Sequence, residues 1–452
     1  MTDKLKAFKA YDVRGKIPED LNEELVFKIG LAYANITKPN EKIVTGRDAR
    51  DSSPSLQKAL NEGLMAGGVH VVDAGLCGTE TIYYASSLQG YSGGLMVTAS
   101  HNPKGYNGIK PVLAGGRPLL GENGLIALEN AIINGTLSEN STKGSCEEYD
   151  FNEGFCNQLF SLVAPEELPE CTLVANPGNG AAGPTAKSLF DKLNMNIVWV
   201  HENPDPEFPN GIPNPLLPDN RKSTIDAVIQ SKADLGIAWD GDFDRCFFFD
   251  HEGNFIEGYY LVGVLAQAAL SKKTGSKIIH DPRLYWNTLD VVEKSGGKAI
   301  MSKTGHAYIK EAMRKHDAIY GGEMSAHHYF REFSYCDSGM IPWMLLLKNM
   351  KDLKLSLKEM VQERQALFPC SGEINFTVED SKASIQKIQD HYQSKSTIED
   401  RTDGLSFEFN KEWRFNLRAS NTEPLLRLNV ESASDEDLMK EKTEEISRLI
   451  QS

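Results

Sequence analysis

The sequence predicts an α/β protein: three related mixed α/β domains followed by a C-terminal α+β domain. Three observations carry this. The chain is longer than one core supports, a strand–loop–helix–strand pattern recurs three times, and the last stretch runs strand after strand before a final helix. At 452 residues the chain exceeds the roughly 250–300 residues at which single cores stop growing. With 40% hydrophobic and 25% charged residues, it has the composition of a globular protein rather than a disordered or fibrous one.

The recurring pattern reads KIVTGRDARDSSPSLQKALNEGLMAGGVHVVDAG from Lys42, TLVANPGNGAAGPTAKSLFDKLNMNIVWV from Thr172, and KIIHDPRLYWNTLDVVEKSGGKAIMSKTGH from Lys277. In the first copy Leu56, Leu60 and Leu64 recur every four residues on one helix face, and VHVVDAG supplies a buried strand. Repeated βαβ units imply parallel strands, right-handed crossovers and helices on both faces. The final stretch carries the strand-like SGEINFTV, GLSFEFN, EWRFNLRAS and LLRLNVES, then the helical EDLMKEKTEEISRLIQ. Seams are expected near Ser138–Ser145, Phe247–Asp250 and Phe368–Gly372. They give α/β domains over residues 1–145, 146–250 and 251–368 and an α+β domain over 369–452.

The 48 basic and 63 acidic residues leave a formal charge of −15, which argues against nucleic acid or an anionic membrane as the main partner. Cys77, Cys146, Cys156, Cys171, Cys246, Cys336 and Cys370 are odd in number, scattered and never spaced as CxxC. Neither a disulfide frame nor a zinc knuckle is expected, and a reducing compartment fits. MTDKLKAFKAYD lacks the apolar core of a signal peptide, and no apolar run approaches the ~18 residues of a membrane span. A soluble, unprocessed, cytoplasmic protein is expected.

Four motifs can carry chemistry. TASHNP, Thr98 to Pro103, follows the apolar GGLMV. A serine at such a strand-to-loop turn presents its hydroxyl to a cleft, with His101 near enough to share hydrogen bonds. Taken alone, an ordinary turn with a capping serine is the commoner explanation. DGDFDR, Asp240 to Arg245, follows the strand-like ADLGIAW. Aspartates at i, i+2 and i+4 of an extended segment project to one side, and a hard divalent cation such as Mg²⁺ resolves their repulsion. A solvated acidic turn is the alternative. A calcium hand is excluded, because Arg245 and His251 stand where that loop wants Gly and Glu.

Gly178, Gly180 and Gly183 form GxGxxG after a strand, with Glu202 about twenty residues on. A dinucleotide-dependent oxidoreductase is therefore the rival from another class. Pro177 sits between strand and first glycine, however, and no hydride-transfer site is recognisable elsewhere. The fourth set is KTGHAYIK from Lys303, GGEMSAHH from Gly321 and RASNTEP from Arg418. The last gathers Arg, Ser, Asn and Thr at a strand end, where they can cradle a phosphate. Glu323 as a plain ion-pair partner, and His306, His327 and His328 as ordinary hydrogen-bonded residues, remain open.

In order, FKAYDVRG (Phe8 to Gly15), TASHNP, DGDFDR, TGH (Thr304 to His306), GEMSAH (Gly322 to His327) and RASNTEP resemble the signature set of the α-D-phosphohexomutase superfamily across almost the whole chain. The phosphomannomutase/phosphoglucomutase branch is nearest, in particular the bacterial enzymes that feed GDP-mannose synthesis. The resemblance implies four domains around a central active-site cleft. It implies Ser100 as phosphoserine, with Asp240, Asp242 and Asp244 as Mg²⁺ ligands beside its phosphate. Arg418, Ser420, Asn421 and Thr422 would hold the non-reacting phosphate of the sugar, and Glu323 and Ser325 would grip its 3- and 4-hydroxyls. Tyr11, Arg14, His101, Lys110, Arg245, Lys303, Gly305, His306 and His327 match cleft-lining positions, with Arg283 beside them. His101, Lys110 and His306 compete for the proton-transfer role.

The implied reaction interconverts mannose 6-phosphate and mannose 1-phosphate through a hexose 1,6-bisphosphate, which also serves as activator. Glucose phosphates, or both sugars, are the alternative substrates. For so acidic a chain, a local Arg, Lys and His cluster must reverse the sign inside the cleft. A closing C-terminal domain would retain the intermediate and exclude water. TGHAYIK and GEMSAH replace the GDRYV and GEQSGH of the phosphoglucosamine branch, which demotes an amino-sugar substrate. Ala326 stands where the family commonly has Gly, which affects only the local loop. The oligomeric state, monomer or small homo-oligomer, stays open.

Overall fold

Leu56, Leu60 and Leu64, the four-residue ladder of the first repeat, are all fully buried on the helix Ser53–Ala66. They share a core with Val26, Ile29 and Tyr33 of the preceding helix Glu23–Thr37 and with Ile43, Val71 and Leu95 of the sheet beneath. Truncating such a leucine to Ala typically costs about 2–5 kcal/mol. The ladder therefore ties its helix to the strands whose ends carry the candidate site.

A computed structural model of the chain describes residues 4–120, 124–283, 285–419 and 425–452. It divides into two compact units, Met1–Phe255 with Tyr329–Lys351, and Ile256–His328 with Asp352–Ser452.

In the first unit a seven-stranded sheet is ordered Val13–Lys16, Tyr106–Leu113, Tyr91–Val97, Lys42–Arg47, Val71–Leu76, Cys146–Glu148, with Arg117–Pro118 paired to the side. Lys42–Arg47 runs parallel to both Val71–Leu76 and Tyr91–Val97, as a βαβ crossover requires. Tyr106–Leu113 is antiparallel to both its neighbours. The second repeat gives the parallel strands Thr172–Asn176 and Asn196–Trp199. Leu235–Trp239 joins them in parallel, and Cys246–Phe249 closes the sheet antiparallel. The two key motifs leave the carboxyl ends of Tyr91–Val97 and Leu235–Trp239, where open α/β sheets place ligands.

In the second unit the third repeat forms parallel Lys277–His280 and Lys298–Met301, with Tyr320–Gly322 parallel on the other side. The C-terminal segment, expected as strands followed by a helix, folds as an antiparallel sheet, ordered Ile374–Thr377, Leu425–Ser432, Trp413–Ala419, Leu405–Phe409, Ile398–Asp400. Its last helix, Glu436–Gln451, starts at Asp435, whose side chain accepts the Leu438 N–H at 2.8 Å. Met439, Ile446 and Ile450 form the helix stripe buried against that sheet.

Candidate active site

The serine loop begins where Tyr91–Val97 ends. Ser100 is buried and has φ +50°, a left-handed conformation that a non-glycine residue adopts only when its surroundings impose it. The surroundings do so from both sides. The Ser100 N–H donates to Thr98 Oγ1 at 2.8 Å, and that hydroxyl donates to Asp48 Oδ2 at 2.7 Å. Arg50 then spans the loop: Nη2 donates to the carbonyls of Ser100 (2.9 Å) and Asn102 (2.7 Å), and Nη1 to those of Pro103 and Tyr106 (3.1 Å each). Burial raises the Asp48 carboxyl and lowers the Arg50 guanidinium, each partly offset by the other's charge.

Against this loop lies DGDFDR. The sequence suggests an extended segment with alternating aspartates; the structure corrects that. Residues 240–244 form a turn, closed by Phe243 N–H to the Asp240 carbonyl at 3.1 Å and with Phe243 at φ +48°. The carboxylates still converge, because the turn wraps them round one point and sends the Phe243 ring into the core. Asp240, Asp242 and Asp244 are all buried, with ligand atoms within 4.8 Å of one another. Gly241 allows the two loops to touch, since a Cβ there would sit 2.5 Å from the Ser100 carbonyl oxygen. The GxGxxG turn supports the same loop: Ala181 N–H donates to the Gly241 carbonyl at 3.0 Å.

Around Ser100 Oγ the side chains close in. Oγ donates to Asp240 Oδ2 at 2.7 Å and lies 3.0 Å from His101 Nδ1 and 3.2 Å from Arg245 Nη2. Arg245 bonds Asp240 Oδ2 through Nη2 (2.6 Å) and Nε (2.9 Å), and its Nη2 is 2.5 Å from His101 Nδ1. Lys110, paired with Met96 across neighbouring strands, places Nζ 2.6 Å from Oδ2 of both Asp242 and Asp244. Arg14 bonds Asn102 Oδ1 and Asp12 Oδ2, each at 2.8 Å, and Tyr11 is half-buried just before it.

Burial opposes ionisation of Asp242, but the Lys110 ammonium, with the Lys110 and Thr79 hydrogen bonds, outweighs it and holds the carboxyl well below the usual range. Burial likewise opposes charge on Lys110 and Arg245, and the neighbouring carboxylates reverse it, so both are raised. Three buried carboxylates thus face two cations, Lys110 and Arg245. Asp242 Oδ1 is buried and has no hydrogen-bond partner among the described residues. An excess carboxylate and an unsatisfied buried anionic oxygen fit a divalent cation of the hard, oxygen-preferring kind.

In the second unit, Arg283 follows the strand Lys277–His280 and is buried against Asp281, with Nη2 to Oδ2 at 2.6 Å. Burial raises the Asp281 carboxyl, and Arg283 overturns that to leave it lowered. Asp281 Oδ2 also accepts the Met324 N–H at 3.1 Å, tying Arg283 to the GEMSAH loop. Buried Glu323 accepts the Gly305 N–H at 2.6 Å at the start of the helix His306–His316, a favourable place for a carboxylate. Ser325, His306 and His327 are half-buried, and Lys303 is exposed. Ala326 adopts φ +70°, a left-handed conformation that costs a non-glycine residue some strain. Arg418 is buried at the end of Trp413–Ala419. Ser420, Asn421 and Thr422 lie outside the described residues.

Sequence reasoning passed over four residues that the structure makes central. Asp48 and Arg50 lie in the first repeat, and the arginine's targets are backbone carbonyls, which leave no side-chain pattern to read. Thr79 bonds Asp242 from 163 positions away. Glu373 receives Arg283 Nη1 at 2.5 Å and lies 3.5 Å from Arg427 and 4.0 Å from Arg418. Burial raises its carboxyl, but Arg283, Arg427 and Arg418 in turn bring it below the usual range.

A serine at a strand end, enclosed by three buried carboxylates and two cations on repeated α/β units, is the arrangement expected for phosphoryl transfer with a divalent cation. Four sequence models described as phosphoglucomutase/phosphomannomutase match the chain in order: alpha/beta/alpha domain I over residues 5–137, domain II over 152–253, domain III over 257–368, and the C-terminal domain over 373–448. A phosphomannomutase of Escherichia coli K12 is 51% identical over 454 residues, 99% of each chain. A protein of Xanthomonas campestris pv. campestris named phosphohexose mutases is 51% identical over 446 residues, again 99% of each. A solved phosphoglucomutase/phosphomannomutase family protein of Burkholderia thailandensis superposes with a TM-score of 0.88 at 29% identity, covering 100% of this chain and 98% of that one. The chain belongs to the phosphoglucomutase/phosphomannomutase family, within the α-D-phosphohexomutase superfamily its motifs resemble.

Proposed function

We propose that the protein is a phosphomannomutase, interconverting mannose 6-phosphate and mannose 1-phosphate with Ser100 as the phosphoryl carrier and Mg²⁺ at the aspartate loop. The observation that carries it is Ser100 Oγ, 2.7 Å from Asp240 and within 3.2 Å of His101 and Arg245, inside a buried cluster of opposite charges. Full-length relatives at 50–51% identity named phosphomannomutase support the choice of sugar. When bound, Mg²⁺ supplies charge neutralisation at the transferring phosphoryl oxygens.

The chain's own residues do the rest. Arg50, Thr98 and Asp48 fix the loop so that Ser100 Oγ faces Asp240, which pre-organises a single attack geometry. Arg245 and Lys110 stay cationic and offset charge that builds on equatorial oxygens. Arg14 borders the loop through Asn102. In the second unit Glu323 and Ser325 would take the sugar hydroxyls, and Arg418 and the 420–422 segment its other phosphate, with Arg283, Lys303, Gly305 and His327, and Tyr11 of the first unit, as further contacts. Donation to the free hydroxyl gives a hexose 1,6-bisphosphate, which returns its other phosphate to Ser100; a proton moves each way, with His101 or His306 as carrier, while Lys110, the third candidate from the sequence, is held cationic by Asp242 and Asp244. Among the described residues no helix is long and apolar enough to cross a membrane, and all seven cysteines are free. A cytoplasmic location and a supply of mannose 1-phosphate for GDP-mannose synthesis belong to the same reading.

A dual-specificity phosphohexomutase is the second reading, favoured by the matching models, which name both sugars. A coupled assay of kcat/KM for mannose 1-phosphate against glucose 1-phosphate, with Mg²⁺ and catalytic hexose 1,6-bisphosphate, decides between them. A mannose preference supports the first reading, and a ratio near one the second.

A further inference from the structure

Thr79 opens the helix Thr79–Ser86, right after Gly78, and its side chain is fully buried. Its hydroxyl donates to Asp242 Oδ2 at 2.5 Å, and its backbone N–H donates to the Asp242 carbonyl at 3.1 Å. One residue therefore grips both the side chain and the main chain of Asp242. Its neighbours grip what surrounds Asp242. Gly78 lies flat against the Phe243 ring, where a Cβ would fall 2.2 Å from Cε1. The Glu80 carboxylate accepts from Ser338 Oγ and from the Gly339 N–H. Gly339 in turn accepts the Trp239 indole N–H at 2.9 Å, on the strand that delivers the aspartate loop.

A carboxylate has two oxygens, and here their uses differ. Asp242 Oδ2 takes the Thr79 hydroxyl and the Lys110 ammonium. Oδ1 is buried and has no partner among the described residues. Lys110 cannot fix this division alone, because its Nζ is equally close to Asp244 and its ammonium is a rotatable point charge that does not select one oxygen. The threonine is short, β-branched and anchored at a helix start, so its hydroxyl has little freedom.

We propose that Thr79 is a positioning residue for the metal: by pinning Oδ2 and the carbonyl of Asp242 it presents Oδ1 as the ligand atom for a divalent cation. The proposal rests on the reading of the aspartate loop as the metal site. Partners of this kind orient ligands, and their loss typically costs roughly 10–100-fold in metal affinity or activity.

The test is Mn²⁺ binding to the purified full-length protein, by calorimetry or by the spin-resonance signal of free Mn²⁺, with no sugar present. Thr79→Val keeps the shape and removes the hydroxyl, and should weaken the Mn²⁺ Kd by roughly 10–100-fold. Thr79→Ser keeps the donor and should restore most of the loss, which a purely structural role would not require. If Thr79→Val does not fold, Thr79→Ala read against Thr79→Ser makes the same comparison. Unchanged Mn²⁺ affinity in Thr79→Val, or equal weakening in the valine and serine variants, overturns the proposal. Asp242→Asn separates the two levels. If it too leaves Mn²⁺ binding unchanged, the metal-site reading fails; if it loses binding while Thr79→Val does not, only the role of Thr79 fails.

Discussion

The hydroxyl of Ser100 donates to Oδ2 of Asp240 at 2.7 Å, although the two residues are 140 positions apart in the chain. Two neighbouring α/β sheets thus deliver a nucleophile-type oxygen and a metal-ligand-type oxygen to hydrogen-bond distance. A phosphoryl group on Ser100 would bring new negative charge beside Asp240. Two like charges 4 Å apart repel by about 4 kcal/mol at an effective dielectric of about 20. Arg245 and Lys110, already held against these carboxylates, and a divalent cation offset that repulsion.

Arg50 should be the structural keystone of the serine loop. Arg50→Met removes four bonds to backbone carbonyls and leaves buried Asp48 without its cation. Breaking such a buried pair costs about 3–5 kcal/mol. Chemical denaturation should show a loss in that range. Arg50→Lys should recover only part of it, because one ammonium cannot reach four acceptors. A loss no larger than that of a surface arginine would contradict the loop assignment.

Asp242→Asn should weaken Mg²⁺ dependence by more than the effect of losing an outer partner, roughly 10–100-fold. A Mg²⁺ titration of mutase activity measures it, and an unshifted titration curve refutes the ligand role.

Glu80 predicts a pH effect on stability. Burial pushes its carboxyl well above the usual value near 4.5, despite bonds from Ser338 and Gly339. Between that value and the raised one the unfolded chain has released the proton and the folded chain retains it, so stability falls as pH rises. Each pH unit of that interval costs about 1.4 kcal/mol. Glu80→Gln removes the ionisable group but keeps one acceptor oxygen where the native side chain accepts at two, so it carries a pH-independent cost and loses the wild type's fall in stability above about pH 4.5. The stability difference between the two should therefore move in the variant's favour as pH rises. A constant difference across pH would contradict a raised Glu80 carboxyl.

Much of this was legible in the sequence because it rests on period and order. Leu56, Leu60 and Leu64 betray their helix by spacing, and the strands of the C-terminal sheet follow from runs such as EWRFNLRAS. The motif serine and the three aspartates were found because chemistry concentrates unusual residues. The shape of the aspartate loop was not, since alternation reads as a strand, while Phe243 at φ +48° turns it. Thr79 and Arg50 were invisible for another reason: their partners are a distant carboxylate and backbone carbonyls, and neither leaves a local pattern. Glu373, set among Arg283, Arg418 and Arg427, is likewise a product of tertiary folding alone.

The central claim is that Ser100 carries the phosphoryl group. Protein incubated with hexose 1,6-bisphosphate and Mg²⁺, digested and analysed by mass spectrometry, should carry a phosphoryl group on the peptide containing Ser100. Addition of unlabelled mannose 1-phosphate should remove that label and place it on the sugar. Ser100→Ala should show neither the label nor turnover of mannose 1-phosphate to mannose 6-phosphate. Label on another peptide that chases into sugar, or near-normal turnover by Ser100→Ala, would contradict the account.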